Sequence, residues 1–147
     1  MSAFVVTAKS PLPPQQAWDR VTDWQRHGEH VPLTRVTIET PPPAGIGTRF
    51  TARTGTAKLG FDDPMEVVSW EPPADGRPGV CRIEKRGRVM LGWAELTVEA
   101  LGAGSVTTWR EEVNPRHLPR FAEPVARGFG RVVFGRVVRK LLASPRP

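Results

Sequence analysis

Tyrosine is wholly absent from these 147 residues. That removes the phenol that often serves an enzyme as acid or oxyanion donor. Cysteine occurs once, at Cys81, so neither an internal disulfide nor a cysteine-rich metal site is expected. No apolar run approaches the ~18 residues that a membrane span needs. The opening MSAFVVTAKS has no basic head followed by an apolar core, so no leader is expected and the chain reads as cytoplasmic. A Gly-rich phosphate loop, a G-x-S-x-G elbow and a Cys–His nucleophile pair are also missing. These absences leave no cofactor and no metal to expect.

What is present suits one domain over residues 1–147, large enough for a real core. The net charge is +6, but it is unevenly spread. From Arg116 onward lie eight of the 21 basic residues and one of the 15 acids, Glu123. The remaining thirteen basic and fourteen acidic residues nearly cancel. The positive charge therefore belongs to the C-terminal segment. It reads either as a solvated arginine-rich face or as a patch for an anionic membrane surface or acidic partner. No nucleic-acid motif accompanies it.

That same segment holds the one stretch long enough for a major helix. Phe121, Val125, Phe129 and Val132 recur at the helical period and share a face. Arg120, Arg127 and Arg131 fall opposite. Beyond Gly130 the apolar stripe moves to Val133, Val137, Leu141, Phe134 and Val138. The two halves thus bury against different things, or the helix bends near Gly130 or Gly135. Gly128, Gly130 and Gly135 each cost ~1 kcal/mol in a helix interior, which suggests close approach of a neighbour. Pro124 fits a first turn, so the helix is expected to begin near Glu123.

Upstream the chain alternates like short strands. Residues 3–9 read as a strand, Ser10 as a cap, and residues 15–24 as a short helix, with a smaller helical or irregular piece over 25–32. Strands follow at 35–40, 47–53, 64–70, 80–85, 89–100 and 106–113, separated by Pro- and Gly-rich turns. Residues 54–63 are expected to form a hairpin or loop, with Asp62 and Asp63 in a turn. The order describes an α+β domain: an antiparallel sheet with a terminal helix on one face.

Four stretches then carry a family likeness: PLPPQQAWDRVTDWQRHGEHVP, GIGTRFTAR, MEVVSWEPP and AELTVEALGAGSVTTWREEV. In that order, and followed by the long helix, they resemble the SRPBCC superfamily, also called START-like or polyketide cyclase/dehydrase and lipid transport proteins. The resemblance spans nearly the whole chain. It implies the helix-grip fold, a curved sheet of about seven antiparallel strands around the C-terminal helix, with two short helices after the first strand. It also implies an apolar cavity between sheet and helix. Members bind lipids, sterols, polyketides or plant hormones, and some are aromatase/cyclases. Fold alone does not fix which.

Candidate site residues follow from strand parity. Folding the last hairpin about Ala103 pairs Ala100 with Thr107, Val98 with Trp109 and Leu96 with Glu111. Cross-strand partners share a face, so Thr107, Trp109 and Glu111 are expected inside, with Arg110 and Glu112 outside. Glu111 is then a candidate acid or base, an anchor for a ligand hydroxyl, or a solvated group paired with a helix arginine. Phe50, Phe121, Val125 and Phe129 join Thr107, Trp109 and Glu111 as candidate ligand-binding residues. Trp70 and Trp93 are expected on the convex side or at an interface. Cys81 and Ile83 are expected inside, and Arg82 and Glu84 paired outside. His27 and His30, three apart, share a helical face near an entrance or at the surface.

Three functions fit. The first is a binding protein for one hydrophobic small molecule, as monomer or homodimer. The second is a polyketide cyclase or dehydratase type of enzyme, with Glu111 or His27 moving a proton. The third is an interaction module working through the basic helix, for instance in peripheral membrane contact.

Overall fold

The computed structural model describes residues 2–56, 58–115 and 123–143. Seven strands form one antiparallel sheet: β1 (Ser2–Ser10), β2 (Thr34–Ile38), β3 (Arg49–Gly55), β4 (Gly60–Glu71), β5 (Gly79–Lys85), β6 (Met90–Leu101) and β7 (Gly104–Pro115). Their order across the sheet is β1-β7-β6-β5-β4-β3-β2. Strands β2 to β7 run as successive neighbours, and only β1 crosses to the far edge. Helices α1 (Pro14–Val21) and α2 (Trp24–His27), with a 3₁₀ turn at Gly28–His30, make that crossing. The long α3 (Glu123–Ala143) lies against the concave face. This is the expected helix-grip architecture.

Period-two burial decides which face is inside. Phe4, Val6 and Ala8 of β1 are buried, and Val5 between them is half exposed. The same alternation buries Cys81 and Ile83 on β5, and Ala94, Leu96 and Val98 on β6. Each side chain that leaves water contributes ~25 cal/mol per Å² of apolar surface. A one-residue slip would turn every one of these outward.

The expected short helix over 15–24 is two elements. Thr22 Oγ1 donates to the Trp18 carbonyl at 2.7 Å and ends α1. Ser10 does not cap a helix; it closes β1, and its Oγ accepts the Leu12 N–H at 3.1 Å. The expected loop over 54–63 is shorter, because β4 already begins at Gly60. Asp62 and Asp63 therefore lie in a strand, where their side chains take opposite faces.

In α3 the C-terminal half carries the packing. Val137, Val138, Leu141 and Leu142 are buried, and Arg20 of α1 donates to the Leu142 carbonyl at 3.0 Å. The first-half stripe does not bury as its periodicity predicts: Phe129 and Val132 are 68% and 69% exposed. Phe121 lies outside the described residues, and so does the Val125 side chain. Gly130 shows why a glycine is used here. A Cβ at that position would stand 2.9 Å from the Phe4 ring, so its absence lets the helix settle on β1. No described helix is long and apolar enough to cross a membrane.

Candidate functional site

Between the sheet and the N-terminal half of α3 lies a cavity of about 310 Å³. That is near the small end of ordinary ligand pockets. Its walls are mostly aromatic and aliphatic. Trp24 stacks on Phe50 with ring centres 5.1 Å apart, and Trp109 stacks on Phe134 at 5.2 Å. Phe134 in turn stacks on Phe4 at 5.8 Å, which joins helix, β7 and β1 in one aromatic wall. Ala52, Ile83 and Ala94 line the strand side.

Three charged side chains interrupt this wall. Lys85 of β5 extends the inward series of Cys81 and Ile83, and Asp63 of β4 extends that of Met65 and Val67. Glu111 of β7 faces Ala94 across the sheet. Lys85 Nζ lies 2.6 Å from Asp63 Oδ2 and 3.9 Å from Glu111 Oε2. Trp109 Nε1–H donates to Glu111 Oε1 at 3.0 Å. Asp63 Oδ1 is buried with no donor among the described residues. Side-chain exposures of 6%, 11% and 5% for Lys85, Asp63 and Glu111 make this a desolvated network.

Burial pushes the Glu111 carboxyl above its ordinary range, and the Lys85 charge and the Trp109 hydrogen bond offset this only in part. Burial alone would lower Lys85, but Glu111 and Asp63 outweigh it and hold the ammonium above its usual value. Of the two carboxylates, Asp63 makes the short contact to the ammonium, and burial works against the charged form of Glu111.

His27 lines the same cavity, its ring 5.4 Å from both Trp24 and Trp109. Its Nε2 lies 2.7 Å from the Val21 carbonyl, so the proton sits on Nε2. Burial lowers its pKa to about 4, more than the Val21 bond raises it, and His30 adds a small further depression. His27 is thus a neutral wall residue, buried rather than at the surface.

Of the seven sequence-stated ligand candidates, Phe50, Trp109, Glu111 and Phe129 border the cavity, Phe129 at its exposed mouth. Thr107 does not. It points inward but is fully buried beside Ala8 and Val98, away from the cavity lining. The hairpin folds one residue earlier than expected, which shifts each partner by two, so Val98 faces Thr107 and Leu96 faces Trp109. A shift of two preserves every inside–outside assignment. Glu111 is buried rather than solvated, and among the described residues its cation is Lys85, not a helix arginine. Trp70 is a further correction. A bulge between Val67 and Ser69 turns it to the concave side, against Trp18 at 5.1 Å. Trp93 is outside, with Arg82 stacked 4.4 Å over its ring. Arg82 pairs with Glu84 and Glu95, each at 3.7 Å, on that outer face. Cys81 is buried, its thiol pushed up to about 12, and so is inert as a nucleophile.

Strand parity already pointed to the two residues the candidates omitted. Lys85 is two residues beyond Ile83, and Asp63 four before Val67. The placement of Asp63 in a turn hid its parity, and the inward series on the other strand was not followed past Ile83 to Lys85.

Solved structures similar to this chain share its fold. Ara h 8.0201 superposes with a TM-score of 0.61 at 14% identity, over 97% of this chain and 98% of that one. Protein TTHA0849 from Thermus thermophilus gives 0.70 at 11% identity, over 98% and 99%. Protein CV1439 from Chromobacterium violaceum gives 0.67 at 11%, over 100% and 99%. No curated protein matches the sequence. The family described as polyketide cyclase/dehydrase and lipid transport matches residues 1–144. With nearly every residue matched and the helix-grip architecture in place, the chain belongs to that family, within the SRPBCC or START-like superfamily.

Proposed function

We propose that this protein binds one hydrophobic small molecule in the cavity between the sheet and α3. The observation that carries this reading is an apolar cavity with a buried, incompletely satisfied polar cluster in its wall. Apolar burial supplies the affinity, and Asp63, Lys85 and Glu111 orient the ligand. A buried acceptor without a donor is costly. Asp63 Oδ1 is such an acceptor, so the ligand's inner end carries a hydroxyl that donates to it. At ~30 Å³ per water-sized group, the cavity holds on the order of ten such groups.

Native mass spectrometry of protein from its own source, with analysis of the released molecules, tests this reading. One apolar molecule per chain is expected, and quenching of tryptophan fluorescence on titration with hydroxylated apolar probes. Ala52→Trp, which fills the cavity, abolishes both. Unchanged probe binding by that variant, or no binding of any apolar probe by the parent protein, rules the reading out.

The buried Glu111, its carboxyl held above the ordinary range by desolvation, favours a second reading, a cyclase or dehydratase type of enzyme in which it donates a proton to the bound substrate. Glu111→Gln retains the shape and removes the acid. Turnover that survives this replacement excludes Glu111 as the acid.

A further inference from the structure

Six aromatic rings run in one unbroken line across the interior. Phe50 stacks on Trp24 at 5.1 Å, Trp24 meets His27 at 5.4 Å, and His27 meets Trp109 at 5.4 Å. Trp109 stacks on Phe134 at 5.2 Å, and Phe134 on Phe4 at 5.8 Å. All five contacts lie within the range of favourable aromatic pairs. The line passes from β3 through α2, β7 and α3 to β1. Hydrogen bonds pin the two rings in its middle: Trp109 Nε1–H to Glu111 at 3.0 Å, and His27 Nε2–H to the Val21 carbonyl at 2.7 Å.

The cavity ends at this belt. All six rings line it. On β1, β5 and β6, Phe4, Ile83 and Ala94 line the cavity, and the next inward residues, Val6, Cys81 and Leu96, do not. On α3 the change falls within one turn, between Phe134 and Val138. Beyond the belt lies solid core: Trp18, Leu96, Val98, Val137, Val138 and Leu141 are each no more than 1% exposed. Helix and sheet are thus packed together on one side of the belt and parted by the cavity on the other.

We infer that the belt is a depth stop, and that Trp109 is the residue that limits how far an apolar ligand enters. This rests on the cavity reading above and adds what sets the ligand's length. Trp109 is buried at the centre of the line and touches a ring from α2 on one side and from α3 on the other. Its bond to Glu111 fixes the tilt of the indole. Each methylene that enters the cavity gains about fourfold in affinity through burial. The first that meets the belt has to displace a ring from a close-packed layer, which a core resists. Affinity therefore climbs with chain length and then levels off, as further carbons stay at the mouth beside exposed Phe129.

The test titrates the 1-alkanols from hexanol to hexadecanol by isothermal calorimetry. In the parent protein affinity rises about fourfold per carbon and levels off at about ten carbons, the capacity of the cavity at ~30 Å³ per group. In Trp109→Ala the rise continues for about four carbons more, the room that the lost indole leaves at the same volume per group. Phe134→Ala opens the belt from the helix side, extends the rise in the same way, and serves where the tryptophan variant does not fold. Leu141→Ala removes apolar bulk from the solid core beyond the belt and leaves the levelling point in place. A levelling point that stays put in folded Trp109→Ala, or in Phe134→Ala where the former does not fold, overturns the depth stop. So does one moved equally by Leu141→Ala, or a rise in the parent protein that never levels off. Each of these leaves the cavity reading intact. Failure of every alkanol to bind the parent protein removes the cavity reading itself, and the depth stop with it.

Discussion

Replacing Lys85 by Met tests the buried network most directly. The two side chains have similar length, so an apolar stem is kept while the ammonium is lost, with its contacts to Asp63 Oδ2 at 2.6 Å and Met65 Sδ at 3.9 Å. Asp63, 2.6 Å from the lost ammonium, is left as a buried carboxylate without a cation. Removing one partner of a buried pair costs about 3–5 kcal/mol, against about 0–1 for a surface pair. For a chain of this size that lowers Tm by about 10–20 °C. The cost also depends on pH. Glu111 in the fold titrates above its ordinary range, so its protonated form stabilises the fold at low pH, and this contribution is lost as pH rises through its folded pKa. Lys85 pulls that pKa down, so its removal widens the window upward. The destabilisation is therefore larger at pH 8 than at pH 5. Urea unfolding followed by tryptophan fluorescence and by circular dichroism measures both effects. A triple variant, Lys85→Met with Asp63→Asn and Glu111→Gln, separates charge from packing, and it recovers most of the loss. A single variant that costs less than about 1 kcal/mol with no pH dependence refutes the desolvated network. A triple variant as unstable as the single one assigns the loss to packing instead.

His27, held neutral with its pKa near 4, stabilises the fold above the unfolded value of 6.5 and loses that contribution as pH falls to about 4. Wild type should thus lose about 3 kcal/mol relative to His27→Gln over that range, seen in paired urea melts. Gly128→Ala, with nothing within 4 Å of the added carbon, gains about 1 kcal/mol. Gly130→Val instead strikes the Phe4 ring and loses about 1–3 kcal/mol, so opposite shifts in thermal melts are expected for two glycines two residues apart. Cys81, buried and poorly ionised, should react with a thiol reagent only at the rate of unfolding; fast labelling of the native protein would contradict its placement.

The order of elements and the inside–outside parity of β5, β6 and β7 were legible in the sequence. Local alternation decides both, and they survive errors of two residues, as the last hairpin shows. The inward place of Trp109 and Glu111 came from parity alone. Tertiary structure decided the rest. A bulge after Val67 reversed Trp70, because a one-residue insertion changes a face without changing composition. Helical periodicity grouped Phe129 and Val132 on an apolar face, yet they stand at a cavity mouth and in a cleft wall, since α3 leaves the sheet open there. Asp63, Lys85 and Glu111 come from three strands, and only the curvature of the sheet brings their charges together. Likewise Arg35 and Arg53 are eighteen positions apart, and strand pairing alone makes them neighbours. Periodicity acts along the chain. Charge acts through space, and that distance is set only when the sheet closes around the helix.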